Sequence, residues 1–164
     1  MIEDLYNVKD KVAVVTGSSR GIGKQCALAF AEAGAKLVLN YVSNKEAAEI
    51  TAEEIADLGS EAIVVQADVK DFEACQTLGE EAIKAYGQVD FLVNNVGAIF
   101  MNREETSEGL EKTFSLNHMS YFVLSKLFSQ QESPLRIINV SSEAHRNIKL
   151  DCDDLENKKN YISL

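Results

Sequence analysis

Gly17, Gly21 and Gly23 stand in a G-x-x-x-G-x-G spacing, directly after the β-branched run Val12–Thr16 and at the head of a helical pattern from Ile22 to Ala33. A strand, a glycine-rich turn and a helix N-terminus together make an anion site. The unbonded N–H groups of the first helical turn and the helix dipole favour phosphate by up to about 2 kcal/mol. Gly17 allows a tight exit from the strand, Gly21 a close approach of a pyrophosphate, and Gly23 close packing of helix on strand. Three glycines also serve purely structural turns, so the turn Gly17-Ser18-Ser19-Arg20-Gly21-Ile22-Gly23 points to a nucleotide through its placement between strand and helix.

The end of the second strand bears on which nucleotide. A site for NAD usually carries Asp or Glu there to hold the ribose 2′-hydroxyl; this chain has Asn40, followed by Tyr41 and Ser43. Arg20, inside the turn, offers a charge-assisted bond to a 2′-phosphate, worth roughly 1.5–3 kcal/mol. The expectation is a preference for NADP(H) over NAD(H), the alternative being that Arg20 is only a solvated turn residue. Asn117 falls on an otherwise apolar helical line of Leu110, Phe114, Tyr121 and Leu124. A buried amide there must find partners or cost about 1–3 kcal/mol, so Asn117 either fixes the helix register or serves the site. Ser142 follows an apolar strand and emerges at the carboxyl edge of the sheet, where ligands of such folds bind; Ser141 reads as structural. His118 and His145 have no pairing partners, and no residue cluster has metal-ligand spacing.

These residues are positioned by alternating strands and helices. The strands read as Val12–Thr16, Lys36–Asn40, Ala62–Gln66, Phe91–Asn94 and Arg136–Val140, each apolar on both faces as in a parallel sheet covered by helices. After the first helix come patterns at about Lys45–Leu58, Asp71–Tyr86 and Ser107–Gln130, the first two ending at Gly59 and Gly87. The last carries two apolar lines and is expected to pack both on the sheet and on a second subunit. The 164 residues, 46% of them hydrophobic, suffice for one domain over 1–164. The fold expected is α/β, a Rossmann-type doubly wound parallel sheet in three layers, truncated at about five of the usual six strands.

A net charge of −10 argues against a nucleic-acid or anionic-membrane surface. No stretch is long enough to span a bilayer. Three unpaired cysteines, Cys26, Cys75 and Cys152, fit a reducing, cytoplasmic location, with the first two read as small core residues.

Five motifs occur in order: Thr16-Gly17-Ser18-Ser19-Arg20-Gly21-Ile22-Gly23, Asp68-Val69, Asn94-Asn95-Val96-Gly97, Asn117, and Val140-Ser141-Ser142. Together they resemble the short-chain dehydrogenase/reductase family over essentially the whole chain. The resemblance implies that Asp68 bonds the adenine amino group while Val69 lines its pocket, and that Asn95 and Gly97 lie along the cofactor. It implies that Asn117 holds a water in a proton relay and that Ser142 bonds the oxygen of a small carbonyl or alcohol substrate. Asp68 could equally cap the helix that begins near Asp71. Val96 stands where alanine is commoner in the family.

The family's proton donor is a tyrosine followed four residues later by a lysine. Tyr161 either begins that motif or is a tyrosine that precedes it, as in the retinol-dehydrogenase-like branch. The stretch Glu143-Ala144-His145-Arg146 through Asp153-Asp154-Leu155 and Lys159-Asn160-Tyr161 resembles that branch and favours the second reading. Asn40-Tyr41-Val42-Ser43-Asn44 is instead similar to ketoacyl-reductase-like members. The resemblance implies an NAD(P)(H)-dependent oxidoreductase, homodimeric or homotetrameric when full length, of which this chain is the front part with little activity alone. A non-catalytic dinucleotide-binding or sensing module is the other reading. A methyltransferase is disfavoured by the spacing after Gly17.

Overall fold

The computed structural model describes residues 7–143, 146, 151–159 and 161. Along the chain it has β1 (Val12–Val15), α1 (Gly21–Glu32), β2 (Lys36–Tyr41), α2 (Lys45–Asp57), β3 (Ala62–Gln66), α3 (Phe72–Tyr86) and β4 (Phe91–Asn94). There follow α4 (Lys112–Phe114), a π-helical stretch (Ser115–Met119), α5 (Ser120–Phe128) and β5 (Arg136–Asn139). The strands form one sheet in the order β3-β2-β1-β4-β5, with every pairing parallel. Crossing from β1 to β4 reverses the direction in which the sheet is wound, and the crevice at that switch lies at the carboxyl ends of β1 and β4.

Alternation along β1 assigns each residue to one of two cores. Val12 and Val14 join Val38, Val65 and Leu92 under α3 and α5, where Leu78, Leu124 and Phe128 close the layer. Ala13 and Val15 join Leu37, Leu39, Phe91 and Val93 under α1 and α2, against Ala27, Ala31 and Ile55. Apolar residues on both faces of the strands thus make three layers, as the sequence implies. α2 and α3 end before Gly59 and Gly87, which adopt the left-handed conformation at φ +80° and +78°.

Three expectations need correction. The helix placed at Ser107 starts at Lys112, because Thr106–Leu110 closes a turn with Gly109 at φ +78° and the buried Glu111 side chain caps the next N–H groups. β5 is not covered on both faces: it is the edge strand, with all four residues exposed. Cys75 is 1% exposed, but Cys26 is only half-buried and Cys152 is exposed. Among the described residues no helix is long and apolar enough to cross a membrane, and no cluster could hold a metal ion.

Candidate functional site

The glycine turn is built from underneath by Asn40. Its side chain is fully buried, its Oδ1 accepts the Gly17 N–H at 3.1 Å and its Nδ2 donates to the Ala67 carbonyl at 2.9 Å. The Asn40 and Ser18 main chains complete the brace: Ser18 N donates to the Asn40 carbonyl and Asn40 N to Ser18 Oγ, both at 3.0 Å. Asn40 therefore fixes the turn, with both ends of its amide spent inside the protein. Thr16 ties the turn to the exit of β4, its Oγ1 accepting the N–H groups of Asn95 at 2.9 Å and Val96 at 3.1 Å. Asn95 Nδ2 returns a bond to the Thr16 carbonyl at 2.9 Å.

Two glycines of the turn are required for different reasons. A Cβ at Gly23 would lie 2.5 Å from the Gly17 carbonyl oxygen and 2.6 Å from Asn95 Nδ2, so helix and strand approach too closely for any side chain. Gly21 has φ +59° with open space where its Cβ would be. α2 is capped by Asn44, Phe72 at the head of α3 donates to Glu108, and α4 is capped by Glu111. α1 has neither a side-chain cap nor an acid in its first turn. Its N-terminal donors remain available to an anion. Arg20 precedes them, exposed, and Ile22 beside them is 66% exposed; Ser19 is half-buried, its carbonyl 3.4 Å from Thr51 Oγ1.

Asn95, tied to the turn through Thr16, also lines a cleft of about 860 Å³, with Gly97, Asn117, Tyr121, Ser142 and Tyr161 among others. Asn117 is exposed on its wall, not buried. The apolar line drawn for it assumed an uninterrupted α-helix from Ser107, whereas it sits within the π-helical stretch, where side chains advance in a different register. Its amide bonds both main-chain groups of Ala98, accepting from N at 3.0 Å and donating to O at 2.8 Å. One donor and one acceptor site of the amide remain for the cleft. A Cβ at Gly97 would come within 3.3 Å of Asn117 Oδ1.

Asp68 pairs with the Lys70 ammonium; it does not cap α3, which takes its first N–H acceptor from Glu108. Val69 is 1% exposed and belongs to the core under α3, so its side chain supports the Asp68 turn from inside instead of lining a pocket. Tyr161 directs its hydroxyl to the Phe100 carbonyl at 2.6 Å and lies 3.1 Å from Thr113 Oγ1. His118 is exposed, stacked on Phe114 at 5.2 Å, and His145 lies outside the described residues.

Two contributors escaped the sequence reading. Tyr121 donates to the Val96 carbonyl at 2.9 Å and reaches that of Val140 at 3.4 Å, tying the exits of β4 and β5 together; burial pushes its phenol pKa up. Its signal was a hydroxyl one turn beyond Asn117 on an apolar line. Glu111, 2% exposed, accepts from Thr113 N and Phe114 N at 2.7 Å each. An acid just before Lys-Thr-Phe was its signal.

Residues 11–149 match the short chain dehydrogenase family. A short-chain dehydrogenase/reductase of Pestalotiopsis microspora is 39% identical over 140 residues, 84% of this chain and 53% of that protein. Versicolorin reductase stcU of Emericella nidulans is 37% identical over 142 residues, 85% and 54% of the two chains. Among solved structures, a Burkholderia cenocepacia short chain dehydrogenase in complex with NADP superposes with a TM-score of 0.76 at 28% identity, covering 91% of this chain and 62% of that one. A blue fluorescent protein from a metagenomic library, in complex with NADPH, gives a TM-score of 0.74 at 35% identity, covering 86% and 59%. The chain spans about half the length of the curated relatives it matches.

Proposed function

Since the chain belongs to the short-chain dehydrogenase family, we propose that it is the dinucleotide-binding part of an NADP(H)-dependent oxidoreductase acting on a small carbonyl or alcohol. The observation that carries this reading is the uncapped N-terminus of α1, with open space at Gly21 and no acid in the first turn. That arrangement fits a pyrophosphate: N–H donors, a positive dipole end and no competing carboxylate. Gly17, Ser19, Gly21, Ile22 and Gly23 would hold the phosphates, with Asn40 acting through the turn it braces. Arg20 would meet the 2′-phosphate, and Asp68, on the Val69 support, the base. Asn95 and Gly97 would flank the nicotinamide half.

When bound, the nicotinamide supplies hydride chemistry. This chain's residues orient the substrate and prepare the proton path. The Ser142 hydroxyl would donate to the substrate oxygen from the cleft wall it shares with Asn117. Asn117, its position fixed by Ala98, would offer its remaining amide donor to a water. Tyr161, its hydroxyl held by the Phe100 carbonyl and beside Thr113, is a wall residue in this reading. The proton donor would come from chain beyond that shared with this sequence, consistent with the coverage of the relatives. Self-association through α5, where Phe122 is 55% exposed, and a cytoplasmic location complete the proposal.

NADPH and NADH titrations followed by nicotinamide fluorescence test it. Binding of NADPH at least tenfold tighter than NADH is expected, with Arg20→Ala removing most of that difference. No binding, or an unchanged ratio in Arg20→Ala, overturns respectively the nucleotide site or the assignment of Arg20.

A further inference from the structure

Two side chains, one from the π-helical stretch and one from α5, clamp the strip of chain that follows β4. Asn117 accepts the Ala98 N–H at 3.0 Å and returns a bond to the Ala98 carbonyl at 2.8 Å. One turn further on, the Tyr121 hydroxyl donates to the Val96 carbonyl at 2.9 Å. Val96 is also held from its other side. Its N–H donates to Thr16 Oγ1 at 3.1 Å, and its side chain lies over Gly17, where a Cβ would meet it at 3.4 Å. Gly97 sits between these two clamped residues, exposed, on the cleft wall it shares with Asn117 and Tyr121. Among the described residues its N–H has no acceptor.

The Val96 carbonyl and the Gly97 N–H belong to one planar trans peptide, so they point in opposite directions. A hydroxyl that fixes the carbonyl therefore fixes the direction of the donor. Phenylalanine at position 121 would fill nearly the same volume without that bond, so the hydroxyl alone orients the peptide. Burial pushes the phenol pKa up, and the hydroxyl stays a donor through the neutral range. We propose that Tyr121 is a positioning residue for the nicotinamide nucleoside, holding the Gly97 N–H free for an oxygen of that group in the cleft. The inference rests on the nucleotide site proposed above. Tyr121 acts through Val96 and need not touch cofactor or substrate. The adenosine end is assigned to Arg20 and Asp68, which share no hydrogen bond with Tyr121, Val96 or Gly97. Loss of the hydroxyl thus weakens the hold on one half of the dinucleotide and spares the other.

The test compares Tyr121→Phe with the unaltered chain on two ligands. NADPH is titrated by nicotinamide fluorescence, and 2′,5′-ADP, which lacks the nicotinamide nucleoside, by calorimetry. Tyr121→Phe is expected to bind NADPH about fivefold or more weakly, with the bound emission maximum moved toward that of free NADPH. Its affinity for 2′,5′-ADP is expected to stay within about twofold of the unaltered chain. A hydroxyl that only supports the fold would change both affinities together or leave both alone, and either result overturns the role of Tyr121. If Tyr121→Phe fails to fold by circular dichroism, Tyr121→Met, which also lacks the donor, supplies the same comparison; failure of both to fold overturns the role as well. Failure of the unaltered chain to bind NADPH overturns the nucleotide site itself, which distinguishes the two failures.

Discussion

Replacing Gly23 by alanine probes the closest approach in the site. The new Cβ would stand 2.5 Å from the Gly17 carbonyl oxygen, 2.9 Å from its carbon and 2.6 Å from Asn95 Nδ2. Two of these atoms are backbone, and the third is anchored by its bond to the Thr16 carbonyl, so α1 or the turn must move. Overpacking of this kind costs about 1–3 kcal/mol, and loss of the Asn95 bond adds about 1 kcal/mol. Alanine's better helix propensity returns up to about 1 kcal/mol. The net expectation is a destabilisation of about 2 kcal/mol, a fall in Tm on the order of 4–8 °C, together with loss of NADPH binding because the phosphate donors shift. Gly21→Ala separates the two effects. Its Cβ meets nothing, and only the left-handed backbone is strained, by about 1–2 kcal/mol, yet the methyl group enters the space proposed for phosphate. Thermal melts and NADPH titrations of both variants check this. A Gly23→Ala chain that melts with the unaltered one and binds NADPH equally would refute the reasoning.

Asn40→Ala strands the part-buried Gly17 N–H and the buried Ala67 carbonyl; a loss of about 2–4 kcal/mol by urea unfolding is expected, and a loss below about 1 kcal/mol would show the brace to be dispensable. Burial pushes the Cys75 thiol up to about 12, the nearby Asp71, Glu108 and Asp68 carboxylates adding to it. Its folded pKa thus lies above the unfolded value near 9, so its contribution to stability is full below about pH 9 and falls as pH rises toward 12, by at most about 1.4 kcal/mol per pH unit. Cys75→Ala should flatten the stability profile over that window relative to the unaltered chain; identical slopes would contradict the assignment.

The unbroken apolar runs were enough to place all five strands and the α/β class: burial on both faces leaves that signature in β1, β2 and β4, and β5 carries the same kind of run although it is an exposed edge. Glycine stops at Gly59 and Gly87 were equally legible, since only a residue without Cβ enters that backbone conformation at little cost. The nucleotide turn was readable as a spacing, and the family as an ordered set of motifs. What the sequence could not supply was the side to which each polar group turns. Asn117 on paper was a buried amide, and it became an exposed wall residue because a π-helical stretch and a later helix start change its direction. Asn40 on paper faced a ribose, and it became the brace under Gly17 because Ala67, 27 positions along the chain, supplies its other partner. The uncapped α1 stood out only once Asn44, Glu108 and Glu111 were seen to satisfy the other helices, and Glu108 does so across 36 positions. Residue types and spacing determined the fold class and the family motifs; long-range hydrogen bonds, which sequence patterns do not encode, decided which polar groups of those motifs are spent on the fold, as with Asn40.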